Sequence, residues 1–274
     1  MTRTSGTELR VALAGLGAIG LTLARRLAHD LPGLRLSAVS ARDRPGAAAR
    51  LAAAGIDVPV VGLAELGALA DIVVECAPAA VFREVAVPTL EAGRIFMPLS
   101  VGALLQHDDL LPLARRHGAR ILPPTGALLG LDAVRAAAEG TIHEVRMVTR
   151  KPPRGLAGAP YLTENGIDVL ALTTPTRIFT GTAREGARGF PANVNVAAAL
   201  SLAGIGPDRT SLEIWADPGL DRNQHTIHVD ADSARFSMTI ENVPSEENPR
   251  TGKITALSVI AALRGLTASL KVGS

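Results

Sequence analysis

The sequence predicts an α/β fold, an N-terminal Rossmann domain with a doubly wound parallel sheet followed by a second α+β substrate domain. Three observations lead there. Short apolar runs alternate with helical segments up to about residue 125, the pattern of βαβ units. The first apolar run closes on Gly15-Leu16-Gly17-Ala18-Ile19-Gly20, a spaced-glycine turn. From about residue 143 the texture changes to apolar/polar alternation.

Residues 9–15 (LRVALAG) read as the first strand, and residues 21–31 have helical spacing. Residues 34–41 form a second strand, and 45–55 an Ala-rich helix closed by Gly55. Further short strands fall at 58–62, 71–77, 94–100 and 119–125, with helical segments 82–93 and 109–118 among them. In the second half, 143–150, 211–217, 225–231 and 235–242 alternate with period two. That pattern predicts an antiparallel sheet with one wetter face. An amphipathic helix over 251–266 ends the chain. The expected domains are 1–126 for the dinucleotide and 127–250 for catalysis, with a helix at about 251–274 packing back on the first.

Composition narrows the function classes. Hydrophobic residues make up 47% and charged residues 20%, enough for a sizeable core. Net charge is +2, and Lys151, Lys253 and Lys271 are the sole lysines. With no basic block and 3% aromatics, the chain lacks the clustered cations and stacking rings of a nucleic-acid surface. A pocket for a small anion remains compatible. Cys76 is the single cysteine, so neither an intrachain disulfide nor a Cys-rich zinc site is expected, which suits a reducing cytoplasm. The histidines lack metal-ligand spacing, so no metal is expected. Arg3 and Arg10 before the apolar run Val11–Ala24 imitate a signal peptide, but the glycines inside that run and Arg25-Arg26 after it favour a buried strand and helix. No run is long and uncharged enough for a membrane span; residues 66–82 come nearest, and Asp71 and Glu75 interrupt them.

The glycine turn stands between a predicted strand and a predicted helix, the context that dinucleotide binding requires. Gly15 permits the turn, Gly17 lets the backbone approach a pyrophosphate, and Gly20 lets the helix pack close. The helix-start amides, including those of Ala18 and Ile19, then face the phosphates. At the end of the second strand an NAD site commonly carries an acid for the ribose 2′-OH. Here the chain reads Ser40-Ala41-Arg42-Asp43-Arg44, where Ser40 and Arg42 suit a 2′-phosphate. The expected cofactor is NAD or NADP.

Two of the six histidines lie in one alternating stretch, Asn223–Val229. On a strand, Asn223, His225, Ile227 and Val229 share one face, while Thr226, His228 and Asp230 share the other. The following strand offers Phe236, Met238 and Ile240 to the apolar side. His225 therefore enters on the covered face and His228 on the wet one. By itself this leaves His225 open as either a core histidine or a chemical one.

Several long blocks resemble the aspartate dehydrogenase family: residues 125–133 (TGALLGLDA), 149–155 (TRKPPRG), 190–206 (FPANVNVAAALSLAGIG), 215–229 (WADPGLDRNQHTIHV) and 241–264. With the glycine turn, the likeness spans nearly the whole chain. It implies a Rossmann domain joined to an α+β catalytic domain, a homodimer, and NAD(P)-dependent interconversion of L-aspartate with oxaloacetate and ammonia through iminoaspartate, which can feed NAD biosynthesis. It implies that His225 is the catalytic histidine, since it occupies the family's N-x-H-x-I stretch. Ala127 matches a cofactor-contacting alanine, and Asn193 and Asn195 both fit a cofactor-contacting asparagine, Asn195 slightly better. Leu156 stands where many relatives carry Trp. Acid–base work of this kind suits a histidine that titrates near neutral pH. The dicarboxylate needs cations and donors, for which Lys151, Thr251 and Lys253 are candidates, with Arg150 and Arg250 beside them. Two other readings are a related imine reductase or dehydrogenase with another small substrate, and a dinucleotide-binding sensor without turnover.

Overall fold

The computed structural model describes residues 8–245 and 252–273. The chain divides into two compact units, one formed by residues up to Ser100, His107–Pro124 and Ala256–Val272, the other by Val101–Gln106 and Thr125–Thr255 with the last two residues. Val101–Gln106 thus belongs to the second unit although it precedes residue 126.

The first unit is built on six strands, β1 (Leu9–Ala14), β2 (Leu34–Ser40), β3 (Val60–Val61), β4 (Ile72–Glu75), β5 (Ile95–Pro98) and β6 (Arg120–Ile121). All pair in parallel, in the order β3-β2-β1-β4-β5-β6. This is the doubly wound Rossmann order, which reverses between β1 and β4 and binds ligands beyond the carboxyl ends of the strands there. Near-continuous burial of Val11–Ala14 and Ile72–Glu75 explains why these strands read as apolar runs rather than alternating ones. The edge strands are shorter than their apolar runs suggest, β3 and β6 having two residues each. Helix Lys253–Thr267 places Val259, Ile260 and Leu263 in the apolar core of this unit. Its Arg264 and Thr267 donate to the carbonyls of Asp30 and Pro32.

The second unit carries β7 (Ile142–Lys151), β8 (Thr176–Thr182), β9 (Thr210–Ala216), β10 (Asn223–Ala231) and β11 (Arg235–Asn242), in the order β11-β10-β7-β9-β8. The sheet is mixed, not wholly antiparallel as expected: β7 and β9 run parallel. Parallel neighbours need a crossover, here supplied by β8 and the helices Pro153–Leu156, Pro160–Glu164, Ala183–Gly189 and Asn195–Ala203. β8 escaped the sequence reading because its register shifts between Arg177 and Phe179, so Ile178 and Phe179 are buried in succession and the period of two is lost. Leu156 is fully buried in this unit's core.

Candidate active site

In the first unit the glycine turn follows β1 directly. Gly15 has φ of 110°, a left-handed conformation, and its N–H donates to the Ser40 carbonyl at 2.8 Å. A Cβ on Gly15 would lie 2.6 Å from the Cys76 carbonyl, and one on Gly20 would overlap the Gly15 carbonyl. Gly17 differs, because a Cβ there would meet nothing within 4 Å. It is the N-cap of helix Ala18–His29, with no side-chain cap and no acid in the first turn. The amides of Ala18, Ile19 and Gly20 are thus the orphan donors of a helix start, and the space beside them accepts an anion. This open cradle fits a dinucleotide pyrophosphate.

At the end of β2, Ser40 is buried and Arg42 is exposed. Asp43 accepts the Gly46 N–H at 3.0 Å and caps the helix Arg44–Ala53, so the single acid here is already engaged. Arg50, on that helix, donates to the Leu16 carbonyl at 3.1 Å and brings a second cation to the glycine turn. Sequence reasoning also missed Glu75, the last residue of β4, which is wholly buried. Its carboxylate accepts the Ala77 N–H at 3.0 Å and the Ser100 N–H and hydroxyl at 2.9 and 3.1 Å. It therefore ties the turn after β4 to the turn after β5. Burial raises its pKa and these donors pull it back. The signal was present: an acid inside the apolar run IVVECA, residues 72–77, of a central parallel strand.

In the second unit the alternation places the two histidines on opposite faces. His225 is 2% exposed and pairs across β7 with Thr149, whose Oγ1 lies 3.1 Å from Nδ1. His228 lies on the other face, half-buried, with its Nδ1 2.7 Å from the Ser237 hydroxyl. Burial, with the charge of Lys151 added, pushes the pKa of His225 down to about 3. The expectation of a ring titrating near neutral pH is therefore corrected: in this pocket His225 is a neutral imidazole.

Lys151 stands two residues beyond Thr149 on the same face of β7, 5% exposed. Its ammonium donates to Asn193 Oδ1 at 2.8 Å and to the Asn193 carbonyl at 3.4 Å. Burial lowers its pKa to about 8. An ordinary surface role for this lysine is excluded by that burial. Arg150, its neighbour, points to the opposite face, where its guanidinium lies 4.8 Å from the Trp215 ring and 3.4 Å from Asp217. Asn195 opens the helix Asn195–Ala203 and accepts the Gly102 N–H at 3.0 Å. Ala127 is half-buried, and its carbonyl accepts Asn242 Nδ2 at 3.1 Å. Asn242, across from Asn223 in β11, is 3% exposed, and its Oδ1 accepts no hydrogen bond among the described residues. Lys253 is exposed at the start of the last helix, while Arg250 and Thr251 lie outside the described residues.

Thr149, Lys151, His225 and Asn242 make the polar end of an otherwise apolar sheet face, and the half-buried loop residue Asn193 meets it at Lys151. Buried polar groups are costly unless partnered, so a cluster of this kind is maintained for chemistry or recognition more readily than for packing. No described helix is long and apolar enough to cross a membrane.

The family description "Homoserine dehydrogenase, NAD binding domain" matches residues 15–124, and "Aspartate dehydrogenase, C-terminal" matches residues 132–266. An L-aspartate dehydrogenase of Bradyrhizobium diazoefficiens is 57% identical over 99% of this chain and 96% of its own length. L-aspartate dehydrogenase 3 of Bordetella bronchiseptica is 58% identical over 99% of this chain and 100% of its own. The crystal structure of aspartate dehydrogenase from Thermotoga maritima superposes with a TM-score of 0.73 at 24% identity, covering 97% of this chain and 99% of that one, and so shares its fold. The glycine cradle lies within the first matched region, the His225 cluster within or beside the second, and the two named relatives match nearly from end to end; the chain belongs to the aspartate dehydrogenase family.

Proposed function

We infer that this protein is an NAD(P)-dependent L-aspartate dehydrogenase, interconverting L-aspartate with oxaloacetate and ammonia through iminoaspartate. The observation that carries this reading is the buried His225 cluster, in a chain 57–58% identical over 99% of its length to proteins of that name. Bound NAD(P)⁺ supplies the acceptor for the hydride that leaves the substrate Cα. The open cradle at Gly17, with the amides of Ala18, Ile19 and Gly20, holds the pyrophosphate. Arg42, beside Ser40, meets a 2′-phosphate, so NADP is accepted as well as NAD. Ala127 and one of Asn193 and Asn195 position the cofactor. The Oδ1 of each asparagine is already engaged, Asn193 by Lys151 and Asn195 by Gly102, so either reaches the cofactor through its amide NH₂.

His225 is the catalytic residue. Thr149 occupies Nδ1, which leaves Nε2 for the substrate nitrogen or the water that adds to the imine. Lys253, with Thr251, supplies the cation and donor group for the dicarboxylate, and buried Lys151 serves the substrate as a hydrogen-bonding group. The finer biology follows from the resemblance: a homodimer in the cytoplasm, with iminoaspartate available for NAD biosynthesis.

The decisive measurement mixes the protein with oxaloacetate, ammonia and NADH or NADPH and follows nicotinamide absorbance. Oxidation that requires all three reactants is expected. Faster turnover with another small oxoacid would move the assignment to a related imine reductase. Tight cofactor binding with no turnover on any oxoacid would make the protein a dinucleotide sensor.

A further inference from the structure

The polar end of the second sheet holds one group whose role the proton chemistry above leaves undefined. Lys151 is as buried as the apolar residues around it, yet its ammonium is met by neutral acceptors alone, the side chain and carbonyl of Asn193. Among the described residues no carboxylate lies within ion-pair distance of Nζ. A buried ammonium without a counter-charge is costly and sheds its proton readily. The groups around it are few. From β10 comes neutral His225; from just beyond the end of β9 comes Asp217, whose N–H donates to the Lys151 carbonyl while its carboxylate turns to Arg150 and the Gly219 N–H. From the loop before helix Asn195–Ala203 comes Asn193.

We propose that Lys151 is the proton-exchanging group of this site, held by Asn193, with His225 beside it as a neutral hydrogen-bonding partner. The proposal rests on the aspartate dehydrogenase reading and assigns the proton transfer within it. L-Aspartate arrives as an ammonium, and its nitrogen has no lone pair to form C=N. The neutral Lys151 amine takes one N–H proton; that N–H bond breaks, a new one forms on Nζ, and the substrate nitrogen keeps the electron pair. The pair then forms C=N as the Cα–H bond breaks and both its electrons leave with the hydride to the nicotinamide. Water adds to the resulting iminium carbon and both its protons pass in turn to the nitrogen; the C–N bond breaks with its electron pair on nitrogen, an oxygen lone pair closes C=O, and ammonium departs. The proton on Nζ returns to solvent. In the reductive direction the same ammonium on Lys151 donates to the new amine.

Burial supports this division of labour. A lysine near 8 is neutral in about a tenth of molecules at pH 7, where an ordinary one is neutral in fewer than one in a thousand. A ring near 3 is neutral throughout and exchanges no proton in this range.

The test uses the full chain with Lys151→Gln, Lys151→Ala and His225→Ala, each first shown to bind NADH like the parent. In the parent, kcat for aspartate oxidation is expected to rise with pH to a midpoint between about 7 and 9. Lys151→Gln is expected to lose at least about 100-fold in kcat, with KM for aspartate changed several-fold at most, and to lose that limb. His225→Ala is expected to keep the limb at reduced kcat. Added methylamine is expected to restore part of the activity of Lys151→Ala. If either Lys151 variant fails to bind NADH, Lys151→Arg takes its place, with a permanent cation predicted to be inactive. An unchanged limb in Lys151→Gln, or parent-like turnover by Lys151→Arg, overturns the proposal. A parent protein that binds NADH but never oxidises aspartate overturns the functional reading instead.

Discussion

His225 illustrates how one position answers both to parity and to solvation. Its place on β10 puts the ring among apolar side chains, and the cost of charging it there holds it neutral. The linkage has a definite sign. The folded pKa, about 3, lies below the ordinary 6.5, so between these values the unfolded chain binds the extra proton and stability falls as pH falls. The limiting slope is about 1.4 kcal/mol per pH unit. Urea unfolding at a series of pH values should show that acid-side loss in the parent and a flatter dependence in His225→Gln; equal slopes would mean the ring is not held neutral. His228→Ala, on the opposite face, should keep near-parent turnover, whereas His225→Ala should lose about two orders of magnitude or more. Arg42 lends itself to a second residue-scale test. Arg42→Asp should weaken NADP more than NAD, because it replaces a phosphate partner with a repelling charge. Calorimetric affinities for both cofactors measure this, and an unchanged ratio rejects Arg42 as the discriminator.

At the scale of elements, the strand–turn–helix unit of β1 and Ala18–His29 assigns different duties to glycines of one motif. Gly15 and Gly20 are demanded by packing, since a Cβ at either meets backbone. Gly17 is not demanded by packing, since a Cβ there meets open space; on the proposed reading that space is kept for the pyrophosphate. Gly17→Val should therefore fold with little loss of stability and lose dinucleotide binding, while Gly20→Val should be severely destabilised. Thermal melts and NADH titration on the pair separate these roles; a folded Gly17→Val protein with parent affinity would sink the cradle. The second sheet shows where pattern reading stops. Alternation placed β7, β9, β10 and β11 and the side of each that is covered. It could not place β9 parallel to β7, because neighbours and directions in a sheet are chosen by the crossover between strands.

For the whole molecule, the last helix returns across the sequence to the first unit, burying Val259, Ile260 and Leu263 in a core otherwise built from residues 11–97. Leu263 is fully buried, so Leu263→Ala should cost about 2–5 kcal/mol, the usual range for a leucine truncated in a core. Denaturant unfolding gives that figure directly. A loss below about 0.5 kcal/mol, typical of a surface site, would show that the helix does not complete this core.

By itself the sequence determined the local features whose physics is local. These are the glycine turn between strand and helix, the parallel βα alternation of the first unit, the parity that separates His225 from His228, and, through long matching blocks, the family. Each depends on the spacing of residues near one another in the chain. The tertiary structure alone decided which polar groups share one buried end of the second sheet. Lys151 and Asn193 are 42 positions apart and His225 and Thr149 are 76 apart, and neither pairing leaves a periodic trace. The same holds for Glu75 between the turns after β4 and β5. Burial set the protonation of these groups, because desolvation depends on what the rest of the chain packs around a side chain rather than on its neighbours in sequence.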